Sequence, residues 1–189
     1  MLECIQQIDR SFLVWVQSFG TPFLDRFWLI ITEKENSLPL YLVMLFFAQR
    51  YLGWKRFGIL VLFTVLLITV SDQFTNAFKN GFMRLRPCHD PDVIPLLRPL
   101  NYCGGMYSFY SGHASNGFAA ATFFALIFMR FHQAFLWLFF WAFLLAFSRV
   151  YLGVHYLSDI MVGTAFGLFW GSVFAFAFNK WILKTDAHS

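Results

Sequence analysis

Charge is what this sequence lacks first. Only 13% of its 189 residues are Asp, Glu, Lys or Arg, about half the usual share of a soluble domain. That shortage excludes an ordinary water-soluble globule. The 59% apolar and 22% aromatic content points into a bilayer. Basic tracts are also missing. The net charge of +4 comes from residues scattered among apolar runs, which excludes nucleic acid as a partner and fits membrane orientation and an anionic substrate. No internal repeat and no low-complexity segment divides the chain, so one domain is expected over residues 1–189. A secretory leader is not expected either, because Glu3 and Asp9 fall where a basic start and an unbroken apolar core would be needed.

What is present is a series of apolar helical segments. Residues 2–19 place Leu2, Ile5, Ile8, Phe12, Trp15, Val16 and Phe19 at helical spacing, with Gln6, Gln7, Asp9, Arg10 and Gln17 between them. This is the pattern of a helix lying at a membrane surface. Gly20-Thr21-Pro22 breaks it, and a second short piece follows over 23–32. Residues 1–35 are thus expected to be interfacial, one bent span over 12–32 being the alternative. Spans are expected over 37–52, 57–80, 111–129, 134–152 and 157–179. The fold class is all-α: an integral membrane bundle of about five transmembrane helices over 36–180, plus amphipathic N-terminal helices. Gly163, Gly167 and Gly171 recur every fourth residue in the last span and permit close helix contact.

Arg50, Lys55, Arg56, Arg130, Lys180 and Lys184 gather at one end of this bundle, which the positive-inside rule makes cytoplasmic. The loop 81–109 then faces the opposite side. Of the three cysteines, Cys88 and Cys103 both lie in that loop, where a disulfide is permitted. Two unrelated thiols are the alternative.

Three polar clusters interrupt the apolar background. The first, Lys79-x6-Arg86-Pro87, offers a point charge and a planar fork for phosphate oxygens; the two cations share a face if the helix persists for two turns. Taken alone, such a cluster is more often a helix anchor. In the second, Ser111-Gly112-His113, the serine can cap a helix. Its free N–H groups attract anions, the glycine admits a ligand, and the histidine can protonate a leaving oxygen. The third runs from Ser148 to Asp159. His155 and Asp159 are four apart, on one face of a helix, so the carboxylate can fix the imidazole tautomer and leave the other nitrogen to attack. Arg149 adds a cation suited to phosphate. Helix direction brings all three clusters to one end of the bundle. Asp72, seven residues before Lys79, is expected behind them, paired with Lys79 or Arg149.

Together, Lys79-x6-Arg86-Pro87, Ser111-Gly112-His113 and Ser148-Arg149-x5-His155-x3-Asp159 resemble the three-part signature of the type-2 phosphatidic acid phosphatase superfamily. The resemblance implies a phosphohistidine intermediate and no metal or other cofactor. It makes His155 the nucleophile, Asp159 its orienting partner and His113 the acid. Lys79, Arg86, Ser111, Gly112 and Arg149 would hold phosphoryl oxygens. The family usually carries proline before Ser-Gly-His; here Tyr110 stands there. Resemblance to short bacterial members implies a multi-pass protein of the cytoplasmic membrane with an outward-facing site. The expected partners are membrane lipids and a lipid phosphate substrate. Undecaprenyl diphosphate is the leading expectation. Phosphatidylglycerophosphate, lipid A 1-phosphate and phosphate transfer between lipids are alternatives. An ion or lipid transporter is the non-enzyme alternative, and oligomeric state is left open.

Overall fold

Helices are the simplest structure that satisfies every backbone polar group in an apolar surrounding. The computed structural model describes residues 2–186 and contains six: α1 (Leu2–Ser18), α2 (Pro22–Thr32), α3 (Leu38–Phe82), α4 (Gly112–Phe128), α5 (Trp137–Tyr151) and α6 (Leu157–Asp186). Among the described residues, extended pairing is limited to one bridge, Leu85 with Tyr107.

The N-terminal segment forms two helices. Thr21 caps α2, its hydroxyl accepting from the Leu24 N–H at 3.3 Å, and Pro22 occupies the first turn. Gly20 is required because the Arg98 guanidinium passes where a side chain would stand. α1 turns a different face inward from the one its apolar spacing suggests. Ile5, Ile8, Trp15 and Phe19 are exposed, whereas Asp9, Leu13, Val16 and Gln17 are buried. These four share one helix face at spacings of four, three and one. Leu13 and Val16 join Val93, Val150, Val154 and Tyr156 in a small core at one end of the bundle.

The spans expected over 37–52 and 57–80 are joined without a loop. Only Gly53 departs from helical backbone, at φ 70° and ψ 167°, a conformation open to glycine. Met44, Ala48 and Leu52 before the break, and Leu60 and Leu67 after it, belong to one core, so the chain doubles back there. Glu35–Phe82, Gln133–Tyr151 and Leu157–Ile182 are long and apolar enough to cross a membrane, and the first, with 48 residues, is far longer than one crossing needs. α4, with 17 residues, lies inside the others and buries Phe123, Phe124, Ile127 and Phe128. The molecule is an integral membrane helical bundle. Of the basic residues that set its expected orientation, the Lys184 side chain falls outside the described ones.

α4 and α6 pack backbone to backbone. A Cβ at Gly163, Gly167 or Gly171 would stand 2.6, 2.5 and 2.6 Å from the carbonyl oxygens of Ser111, Ser115 and Ala119. This contact also sets the polar end, where the Ser111 N–H donates to the Asp159 carbonyl at 3.1 Å. Gly167→Ala should therefore lower stability by about 1–3 kcal/mol through overpacking. Gly58→Ala has open space around the new methyl and should leave stability unchanged or slightly raised. Thermal unfolding in detergent compares the two, and equal midpoints would contradict the packing argument.

Candidate active site

The site begins at the turn between α5 and α6. Gly153, at φ 70°, allows the chain to reverse, and the N–H groups of Val154 and His155 donate to the Arg149 carbonyl at 3.1 and 3.2 Å. His155 thus precedes α6 and does not lie on its face. It meets Asp159 from the turn, with Nδ1 3.4 Å from Oδ2. That same oxygen accepts the Tyr156 N–H at 2.9 Å. Both residues are buried, at 1% and 0% exposure. With Nδ1 turned to the carboxylate, Nε2 is the nitrogen available to a substrate.

Burial pushes the His155 pKa down to about 4. Asp159 opposes this, and Arg149 and Arg86 add to it. A lowered imidazole pKa keeps the lone pair at neutral pH, as a nucleophile needs. In ¹⁵N-histidine spectra, the signals lost in His155→Gln should stay those of a neutral ring from pH 8 to pH 5. Protonation near the ordinary 6.5 would contradict this environment.

Two arginines flank the histidine. Arg149 donates from Nη1 to the Thr32 hydroxyl and, at 3.0 Å, to the Tyr102 hydroxyl. Arg86 donates from Nε to the Tyr107 carbonyl at 3.2 Å. Arg149 Nε and Arg86 Nη1 are buried without a hydrogen-bond partner, donor capacity that suits an oxyanion. Lys79 and Arg86 do not share a helix face as the spacing suggested. α3 ends at Phe82, and Met83 adopts a left-handed conformation (φ 47°). The loop then carries Arg86 back, its N–H donating to the Met106 carbonyl at 3.0 Å. Gly104 lets the guanidinium lie close, since a Cβ would stand 2.8 Å from Arg86 Nη1.

Ser111 caps α4, its Oγ accepting the Ala114 N–H at 3.4 Å. Gly112 and His113 follow in the first turn and line a cavity of about 510 Å³ together with Lys79. Tyr110, in the position of the family's proline, is fully buried. It stacks on Phe166 of α6 with ring centroids 4.9 Å apart, so aromatic packing anchors this entry to the helix. Asp72 lines the same cavity as Lys79. Its hydrogen-bond partner among the described residues is Asn116 of α4, at 2.7 Å, and seven residues of helix set it about 10 Å from Lys79 along the axis.

Two residues that sequence reasoning left outside the site stand directly behind it. Arg84 donates from Nη1 to Asp159 Oδ1 at 2.9 Å and to the Ser158 hydroxyl at 2.7 Å, and from Nη2 to Asp9 Oδ2 at 2.7 Å. Its guanidinium lies 4.0 Å over the Tyr156 ring. Asp9, buried at 2% exposure, accepts the Ser158 N–H at 2.9 Å. It thereby caps the start of α6 from another helix. The signal was available: Asp9 is four and seven residues before Leu13 and Val16, the buried apolar positions of α1. Arg84→Gln should leave two buried carboxylates without their cation and misplace His155. Turnover should fall about a hundredfold, with KM little changed and part of the rate recovered in Arg84→Lys. Asp9→Asn should be non-additive with it. Additive effects, or a change confined to KM, would break the proposed linkage.

Cys88 and Cys103 are joined, with Cα atoms 6.1 Å apart, closing the loop above these residues. His89 lies beside them and reaches the Gly104 carbonyl at 3.0 Å. Sulfurs spent in a disulfide are not thiolate ligands, so this grouping is not a metal centre.

A buried histidine, a carboxylate behind it and cations around it thus lie together at one end of a membrane bundle. The PAP2 superfamily profile matches residues 57–183, and the chain belongs to that superfamily. A lipid A 4'-phosphatase of Porphyromonas gingivalis is 31% identical over 96% of this chain and 79% of its own length. One from Bacteroides thetaiotaomicron is 33% identical over 95% and 81%. A lipid A 1-phosphatase of Rhizobium johnstonii is 31% identical over 85% and 66%. Among solved structures, a PAP2-type phosphatidylglycerolphosphate phosphatase of Bacillus subtilis superposes with a TM-score of 0.70 at 21% identity, covering 96% of this chain and 87% of its own. Aquifex aeolicus LpxE gives 0.64 at 23% identity, over 87% and 92%. These two share the fold.

Proposed function

We propose that this protein removes a phosphate monoester from lipid A at the outer face of the bacterial cytoplasmic membrane. The observation that carries the substrate is the likeness, along nearly the whole chain, to two lipid A 4'-phosphatases. It favours the 4' position. The expectation of undecaprenyl diphosphate has no such support and gives way to the lipid A alternative.

The chemistry follows from the site. His155 Nε2 attacks phosphorus while the bond from phosphorus to the sugar oxygen breaks, and His113 gives that oxygen its proton. Water then attacks the phosphohistidine, His113 takes a proton from it, and the phosphorus–nitrogen bond breaks to release phosphate. Lys79, Arg86, Arg149 and the start of α4 stabilise charge on the phosphoryl oxygens, the main lever in phosphoryl transfer. Asp159 holds the His155 tautomer throughout.

Purified protein should release phosphate from bis-phosphorylated lipid A, and mass spectra should place the loss at the 4' position. Phosphate release should vanish in His155→Ala with an unchanged thermal midpoint, and should persist in EDTA. Loss at the 1 position only would reassign the regiochemistry. Turnover of undecaprenyl diphosphate but not lipid A would overturn the substrate, and full activity in His155→Ala the mechanism.

A further inference from the structure

The cavity beside Lys79 and His113 continues inward between α3 and α4 and changes character as it goes. Its reacting end holds Lys79, Gly112 and His113. Next comes a belt of Asp72, Asn76 and Asn116. Beyond it the wall is mostly apolar, with Met44, Leu45, Ile68 and Phe124 beside Thr64, whose hydroxyl is already spent on the Leu60 carbonyl. Helical rise puts Asp72 about 10 Å below Lys79 and Asn116 about 4–5 Å below His113. The belt is therefore an intermediate layer between cations and hydrocarbon.

A carboxylate at this depth is costly unless it serves a ligand or a structural partner. Asp72 and Asn76 are exposed in the cavity. Asn116 Nδ2 donates to Asp72 Oδ1 at 2.7 Å. That single bond orients the carboxylate and leaves further acceptor capacity, since an ionised carboxylate has about four lone-pair sites. The belt cannot receive the phosphate, because like charges repel. Nor does it suit a polyprenyl chain, which has no donor and would bring hydrocarbon against a charge. The ester-linked glycerol of a diacylglycerol phosphate offers only acceptors there, and phosphatidylglycerophosphate, though its outer glycerol has a hydroxyl, would bring its phosphodiester anion toward the carboxylate. A sugar carrying the phosphate offers hydroxyl and amide N–H donors at the required place. Reading outward to inward, the cavity runs cation, acceptor, apolar; a phosphorylated glycolipid runs phosphate, sugar, acyl chain.

We infer that Asp72, held by Asn116 and flanked by Asn76, forms a subsite for the hydroxyl or amide N–H donors of the sugar that bears the phosphate. This rests on the lipid A reading for the natural substrate, and the subsite has its own probe. The probe is a matched pair of amphiphiles, an N-acylglucosamine 4-phosphate and dodecyl phosphate. The quantity read is the ratio of their kcat/KM values, beside lipid A turnover by the same preparations. The wild type should prefer the sugar phosphate, and the preference should fall at least tenfold in Asp72→Leu and in Asn116→Leu. Asp72→Asn, equal in size, should fall between and keeps the test valid if the leucine variant misfolds. A ratio that stays where it was, because both substrates fall together or neither falls, overturns the subsite even if lipid A is a substrate. An Asp72-dependent sugar preference in a protein that leaves lipid A intact would uphold the subsite and sink the lipid A reading.

Discussion

Everything at the polar end of this bundle converges on Asp159. One carboxylate oxygen faces His155 Nδ1 and accepts the Tyr156 N–H. The other accepts Arg84, from the loop after α3. Its backbone carbonyl accepts the Ser111 N–H at the start of α4. The three polar clusters, far apart in sequence, are thus each tied to a single residue with no exposure to solvent. Such a residue has to be an anion with several donors, because an unpaired charge there would destabilise the fold severely. The glycine contacts between α4 and α6 have their meaning here. Close backbones bring the Ser111 N–H within reach of Asp159, and a wider helix spacing would pull the site open.

How much of this could be read from the residues depended on whether a signal was local. The helices were legible because apolar runs and their basic flanks are local features. So was the pairing of His155 with Asp159, although the contact is made from a turn and not along a helix face. The capping role of Ser111 likewise follows from a short motif. Lys79 and Arg86 show where local reading fails. A spacing of seven suggested a helix, but Met83 ends it, and Arg86 is aimed by pairing with residues 106 and 107, which no periodicity announces. Asp72 has a hydrogen-bond partner that the sequence did not announce. Charge invited a pairing with cations, whereas packing of α3 on α4 supplied an amide.

Arg84 and Asp9 illustrate a different blind spot. Arg84 sits among arginines that read as phosphate ligands, and its guanidinium turns away from the cavity toward two carboxylates. Asp9 looked like the polar side of a surface helix. The exposed Ile5, Ile8, Trp15 and Phe19 show that most of the apolar stripe of α1 faces outward, as suits a helix lying against a membrane. In water the polar face is the outer one; beside lipid that rule inverts, and a buried acid becomes the expected way to fasten a helix to a polar core. The same inversion explains why Gln17, and not an apolar residue, joins α1 to the Tyr151 carbonyl and the Arg98 N–H.

The bond between Asp9 and the Ser158 N–H spans 149 residues. A ribosome delivers Asp9 well before Ser158. Until then Asp9 has no partner on α6, and the carboxylate behind the histidine does not yet exist. The clamp behind His155 is therefore closed by a contact of very long sequence separation, and the polar end is not complete before the start of α6 has docked on α1. A lipid phosphatase built this way stays incomplete for as long as its own insertion is unfinished.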